Sequence, residues 1–258
     1  MVDFRDKLRR AFAQPVDASL REQLVRHAER LATRRPRVAL PAGSELTNAH
    51  GSCYLRQLAY PLTLQHGWRP LREQPEPDLG RCLYLDTETT GLHGGAGNLV
   101  FMTGLGFFED GHLVVEQVFV RAFAEERAML AHVQTRLEQR TKLVTFVGKT
   151  FDRHRLAARM AVHRLPTTIL SAEHLDLLYV ARRAYGQRLP DTRLRTLEEH
   201  VLGFTRTDDL PGAEAPRAFL DWLRDGSGPV DRVFEHNRLD VLSLAALHDK
   251  VPRTLLSG

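Results

Sequence analysis

The residues best placed to do chemistry lie in Leu83-Tyr84-Leu85-Asp86-Thr87-Glu88-Thr89-Thr90-Gly91-Leu92. An apolar run ends in one acid, skips a residue, places a second acid and stops at a glycine. On a strand, residues two apart point to the same side, so Asp86 and Glu88 stand next to each other. Two carboxylates held that close repel unless something positive lies between them, and a divalent cation bound by oxygen ligands is the natural partner. An arbitrary Asp-x-Glu is usually a pair of solvated acids at a strand end; the apolar run before it and the glycine turn after it favour a site. A further acid, Asp152, follows Leu143-Val144-Thr145-Phe146-Val147-Gly148-Lys149-Thr150-Phe151. That pattern is a strand, a tight turn and the first turn of a helix, where the helix dipole favours an acid with or without a chemical task. The last motif, Glu235-His236-Asn237-Arg238-Leu239-Asp240, belongs to an amphipathic helix with Leu239, Leu242 and Ala246 on its apolar side. His236 and Asp240, four apart, share a face. Alone, such a pair is more often a surface ion pair; two acidic motifs, each at the carboxyl end of an expected strand, argue for a common site.

The elements that must position these residues follow from local periodicity. Strands are expected at Cys82–Glu88, Leu99–Phe108 and His112–Val120, the last two joined by the hairpin signal Glu109-Asp110-Gly111. A helix over Glu125–Glu138 presents Met129, Leu130, Val133 and Leu137 on one face, and a short strand spans Leu143–Val147. Helical spacing returns from Phe151 to His163, an extended piece precedes Asp176, a helix runs on to Tyr185, and further helices begin near Leu194, Ala215 and Asp231. Three hairpin-joined strands followed by alternating helix and strand describe an α/β fold, a mixed five-stranded sheet with helices on both faces. His174-x-Asp176 is either an auxiliary polar pair near the site or the cap of the following helix, and the cap is favoured.

Residues 1–80 read as an accessory N-terminal segment and residues 81–258 as the main domain. In the former, Ser19 and Glu22 form a capping box ahead of Leu20, Leu24, Ala28 and Leu31, and Arg34-Arg35-Pro36-Arg37 ends that helix. Val38–Leu40 and Cys53–Leu64 look extended, and Pro70, Pro75, Pro77 and Gly80 mark a linker. The chain of 258 residues has 36 Lys+Arg against 32 Asp+Glu, a net charge of +4. Residues 1–80 hold 13 basic and 9 acidic residues, so the entire excess sits there. Only four of the basic residues are lysines. Arginine suits phosphate contacts through its planar fork, although a GC-rich genome produces the same bias. No apolar run approaches the ~18–20 residues of a membrane span, and Met1–Phe12 holds no signal-peptide core. Cys53 and Cys82 are too few for a disulfide framework or a zinc site, which leaves the cytoplasm as the expected location. The glycines of Gly91–Gly97 lack the Lys-Ser/Thr ending of a P-loop, and Trp68 and Trp222 are expected in the core rather than stacked on bases.

Asp-Thr-Glu-Thr-Thr-Gly-Leu at 86–92, Phe-Asp at 151–152 after a strand, and His-Asn-x-x-Asp at 236–240 together resemble the DnaQ-like exonucleases of the DEDD class, whose fold is that of ribonuclease H. The resemblance spans roughly Arg81 to Lys250. The runs Gly-Lys-Thr-Phe-Asp, His174–Leu178 and Asp208-Asp209-Leu210-Pro211-Gly212 look most like the YprB-like group of predicted exonucleases. The resemblance implies a 3′–5′ exonuclease of single-stranded DNA or RNA ends that uses two divalent cations, Mg²⁺ or Mn²⁺. Asp86 would bridge both ions, Glu88 and Asp240 would complete one site, and Asp152 would hold the other. His236 would be the general base, and Thr89, Thr90 and Leu92 would contact the terminal nucleotide. Two departures stand out: His236 lies four residues before Asp240 where the histidine subclass has five, and Val147 stands where relatives often carry asparagine. They motivate an alternative, a nucleic-acid- or partner-binding module with a lapsed nuclease site. Which helicase or repair partner either would work with stays open.

Overall fold

The structure, a computed structural model, describes residues 38–61, 79–91, 97–148, 152–252 and 255. The strands are β1 (Ser44–Asn48), β2 (Gly51–Pro61), β3 (Cys82–Thr89), β4 (Val100–Glu109), β5 (His112–Phe119), β6 (Lys142–Thr145) and β7 (Glu173–Asp176). The helices are α1 (Glu126–Gln139), α2 (Asp152–Val162), α3 (Leu177–Tyr185), α4 (Leu194–Leu197), α5 (Ala215–Asp225) and α6 (Val230–Lys250). One mixed sheet holds all seven strands in the order β1-β2-β5-β4-β3-β6-β7. β3 lies inside it, antiparallel to β4 and parallel to β6.

The α/β expectation holds, but the sheet has seven strands where five were expected. Both additional strands come from the stretch expected to be accessory. β2 pairs with β5 from Tyr54↔Phe119 to Pro61↔His112, and β1 pairs with β2. This pairing covers the edge that β5 would otherwise leave open, and it fully buries Cys53. Val38 is tied to α5: its N–H donates to Gly226 O at 2.8 Å, and its carbonyl accepts from Trp222 Nε1 at 2.8 Å. Trp222 is a core residue, as expected. The expected helix over Ser19–Leu31, the Pro70–Pro77 linker, Trp68, Leu92 and Lys149–Phe151 lie outside the described residues.

The alternation of β3 divides the core. Leu83 and Leu85 face Met129, Leu156, Met160 and Phe219, under α1, α2 and α5. Cys82 and Tyr84 face Val180, Ala181, Val241 and Leu244, under α3 and α6. Helices therefore cover both faces. α6 comes close to the sheet because β4 carries glycine where it crosses. A Cβ on Gly104 would lie 2.4 Å from Asn237 Oδ1, and one on Gly106 would lie 2.6 Å from Val241 Cγ1. That approach delivers the residues of α6 to the end of β3. Among the described residues no helix is long and apolar enough to cross a membrane.

Candidate active site

Asp86 and Glu88 continue the Cys82/Tyr84 side of β3, which faces α6. Asp86 Oδ2 accepts a hydrogen bond from Asn237 Nδ2 at 2.8 Å. Around these acids α6 adds His236 and Asp240, and the four line a cleft of about 180 Å³ with Thr87, Thr89, Gly212 and Pro216. A larger groove of about 550 Å³ opens beside it and shares Asp86 and Asp240, with Phe146, Val147, Leu178 and Arg182 among its walls. Asp152 begins α2 and reaches β3 from the other side, where its carboxylate accepts from the Thr87 hydroxyl. Its charge nevertheless acts on both Asp86 and Glu88. The structure thus brings four of the five expected catalytic side chains into one cleft and joins the fifth to it through Thr87.

The electrostatics are those of crowded acids. Burial pushes the carboxyl of Asp86 well above its ordinary value, and the charges of Asp240 and Asp152 push it further. Glu88 is raised by burial and then by Asp86. Asp152 is raised to about 6 by burial, against the Thr87 hydrogen bond. Burial alone would depress the imidazole of His236, but its hydrogen bond to Asp209 and the charges of Asp240 and Glu88 outweigh burial and hold it up at about 9. His236 Nδ1 lies 2.9 Å from Asp209 Oδ1, and its Nε2 lies 3.6 Å from Asp240 Oδ2.

The donor set suits a hard divalent cation, since four carboxylates supply oxygen and the repulsion that raises Asp86 and Glu88 is what such a cation would relieve. As placed, no three His, Cys, Asp or Glu among the described residues close on a single point. The chain's own donors account for this: Thr87 holds Asp152, Asn237 holds Asp86, and Arg206 holds Asp240.

The neighbouring threonines are engaged in shaping the turn after β3. Thr89 Oγ1 donates to Gly91 O at 2.9 Å and accepts from Arg155 Nη1 at 2.8 Å, and Thr90 Oγ1 accepts from Leu99 N at 3.0 Å. Asp176 is the cap of α3, its Oδ1 accepting from Leu178 N at 3.0 Å and also from Val147 N at 3.0 Å. Val147 has φ 64°, a left-handed conformation that a β-branched residue rarely adopts and asparagine tolerates. Periodicity gave no sign of Asn237, Arg206, Asp209 or Glu198. Asn237 could have been found three residues before Asp240 on the same helix, and Asp209 within its Asp-Asp-Leu-Pro-Gly run; Arg206 and Glu198 carry no local signal.

Acids at the end of an inner strand of a mixed sheet, met by an acid and a histidine from a helix packed over that strand, place the chain in the ribonuclease H-like class. The chain belongs to the RNase_H superfamily, whose family model matches residues 83–251, from β3 to just past α6. It is 30% identical over 226 residues to the uncharacterized protein YprB of Bacillus subtilis (strain 168), an alignment covering 80% of this chain and 54% of that protein. The chain therefore spans about half the length of this curated relative. Among solved structures, the family B DNA polymerase from the archaeon Pyrobaculum calidifontis shares the fold. The TM-score is 0.54 at 17% identity, over 77% of this chain and 29% of the polymerase.

Proposed function

We propose that the protein is a metal-dependent 3′–5′ exonuclease that hydrolyses phosphodiester bonds at single-stranded nucleic-acid ends in the cytoplasm. The carrying observation is the pair of a buried Glu88 and a half-buried Asp86 at the end of β3, with raised carboxyls and no guanidinium or ammonium partner among the described residues. Asp86, Glu88, Asp152 and Asp240 would hold two Mg²⁺ or Mn²⁺ ions. When bound, such ions would neutralise these carboxylates, lower the pKa of an attacking water and stabilise the leaving oxygen. Asp209 fixes the ring of His236 through Nδ1, so Nε2 would be the nitrogen to take the water's proton once bound cations offset the carboxylates that hold the imidazole protonated. Thr89 and Thr90 stabilise the turn that borders the cleft, where a terminal nucleotide would rest, and Leu92 would be a further contact to it. Residues 1–80, which carry the chain's excess positive charge, would help hold the strand.

The test is an oligonucleotide labelled at its 5′ end, incubated with Mn²⁺ and either wild type or Asp86→Ala, as matched DNA and RNA strands. Wild type should shorten one or both stepwise from the 3′ end, while the variant leaves them intact. Equal release by both proteins, or internal cutting, would sink the assignment. The second reading, a binding module with a lapsed site, draws on Arg206 already occupying Asp240 and on His236 held at about 9. Retained oligonucleotide affinity without Mn²⁺ uptake in a calorimetric titration would favour it.

A further inference from the structure

Arg206 stands in the segment between Leu202 and α5, with 3% of its side chain exposed. Its Nε lies 2.8 Å from Glu198 Oε2 and its Nη2 2.5 Å from Glu198 Oε1, a two-pronged grip on a carboxylate that is itself fully buried. The Ser243 hydroxyl, on α6, also donates to Glu198. Nη1 reaches Asp209 Oδ2 at 3.2 Å and His236 Nδ1 at 3.3 Å, and Nη2 donates as well to Asp240 Oδ1. One carboxylate would have satisfied a buried guanidinium; here three surround it. Glu198 and Asp209 lie away from the cleft or behind His236, while Asp240 is the acid that the cleft shares. The guanidinium is therefore anchored from behind and directed at one oxygen of a site carboxylate, with Oδ2 of Asp240 turned toward His236.

We propose that Arg206 is the protein's own counter-cation for Asp240: it keeps that carboxylate assembled in the site before a divalent cation arrives, and it competes with that cation for the same charge. Arg206 is a positioning residue, acting through Asp240. Among the described residues no guanidinium meets Asp86 or Glu88, which have only the imidazole of His236 shared with Asp240, so an incoming cation gains most on their side of the cleft and least at Asp240. The inference rests on the proposed cation site, and its test separates the two.

Thermal unfolding is measured in EDTA and in Mn²⁺ for wild type, Arg206→Gln and Arg206→Lys, with Mn²⁺ uptake followed by calorimetry. Arg206→Gln should melt lower in EDTA, and its rise in Tm on adding Mn²⁺ should be about twice that of wild type, because the ion then supplies charge the chain no longer does. Arg206→Lys, which keeps the charge, should return the rise toward the wild-type value. A variant whose melting falls equally in EDTA and in Mn²⁺ has lost an ordinary structural pair, and the proposal is overturned. Should Arg206→Gln fail to fold, Glu198→Gln takes its place. Neutralising that anchor commits the guanidinium more fully to Asp240, and the Kd for Mn²⁺ should weaken by about threefold. An unchanged or tighter Kd overturns the proposal. If wild type takes up no Mn²⁺, the cation site falls and Arg206's role with it; if wild type binds and Arg206→Gln shows the wild-type rise, only the role of Arg206 falls.

Discussion

Two sets of buried acids in this chain are treated in opposite ways. Glu126 is fully buried and is met by Arg159 Nε at 2.8 Å, His163 Nε2 at 2.7 Å and the Val100 N–H at 3.0 Å. Glu116 is met by Arg136 Nε at 2.9 Å and His132 Nε2 at 2.7 Å. Each glutamate has a guanidinium and an imidazole of its own. Glu88, buried, and Asp86, half-buried beside it, have the amide of Asn237, more carboxylates and the one imidazole of His236 that they share with Asp240. Burial pushes both Glu116 and Glu88 up, yet Glu116 ends below its ordinary value because His132 and Arg136 outweigh burial, while Glu88 ends well above. The same side chain moves in opposite directions when its neighbours change from cations to carboxylates. A chain that twice gives an interior glutamate a guanidinium and an imidazole of its own, and then leaves a cluster of acids to share the single imidazole of His236, marks where an outside cation belongs. Asp240 falls between the two sets, partly neutralised by Arg206.

The largest effect should come from exchanging the uncompensated kind. Asp86→Asn keeps the shape and removes a charge that burial and its neighbours disfavour. Cleavage should fall by at least ~10³-fold, the equivalent of about 4 kcal/mol of lost transition-state stabilisation. Melting in EDTA should stay level or rise, since repulsion with Glu88 and Asp240 is relieved. Labelled-strand digestion and thermal unfolding on one preparation check both halves. A variant that cuts normally, or that melts well below wild type, would erase the distinction.

The converse exchange should be comparable in size and should fall on stability instead of cleavage. Glu126→Gln leaves Arg159 and His163 without their carboxylate, and removing one partner of a buried pair costs about 3–5 kcal/mol. Denaturant unfolding should show that loss, while the turnover of the molecules still folded stays at wild type. A loss of turnover per folded molecule would place Glu126 with the site acids instead of with the framework.

The legible part of this arrangement is the part that periodicity carries. β3 to β7 and the helices after them begin and end close to where alternation and helical spacing put them, because those patterns are local. The side-by-side placement of Asp86 and Glu88 follows from a period of two. The meeting of Asp240 with that pair does not follow from any local pattern. It depends on α6 crossing β4 at Gly104 and Gly106, two ordinary strand glycines until a helix is laid over them. The partner of β2 is likewise non-local: Cys53–Leu64 is visibly extended, but nothing in it names β5. His236 is expected as a base from the family resemblance, despite its unusual spacing from Asp240. The charges that hold it at about 9 come partly from Asp209, 27 residues away in sequence. Arg206, between two threonines, has no pattern to betray it.

The smallest effect is a dependence on acid, and its sign follows from Glu116. The carboxyl of Glu116 is held below the usual 4.5 in the folded protein, with burial raising it and the hydrogen bonds of His132 and Arg136 prevailing. Its contribution to stability is therefore complete above the ordinary glutamate range and is lost as pH falls through the folded-state value. Glu116→Gln should be less stable than wild type at neutral pH, by up to about 3 kcal/mol for a broken buried pair. As pH drops below 4.5 the difference should narrow, because protonation does to the wild-type side chain what the substitution has done to the variant. Urea unfolding of both proteins at neutral pH and at pH 3.5 measures the gap. A gap that stays constant would mean that Glu116 draws little from its cations. The contrast with Glu88 would then come down to burial, and the lack of a guanidinium beside it would no longer set the site apart.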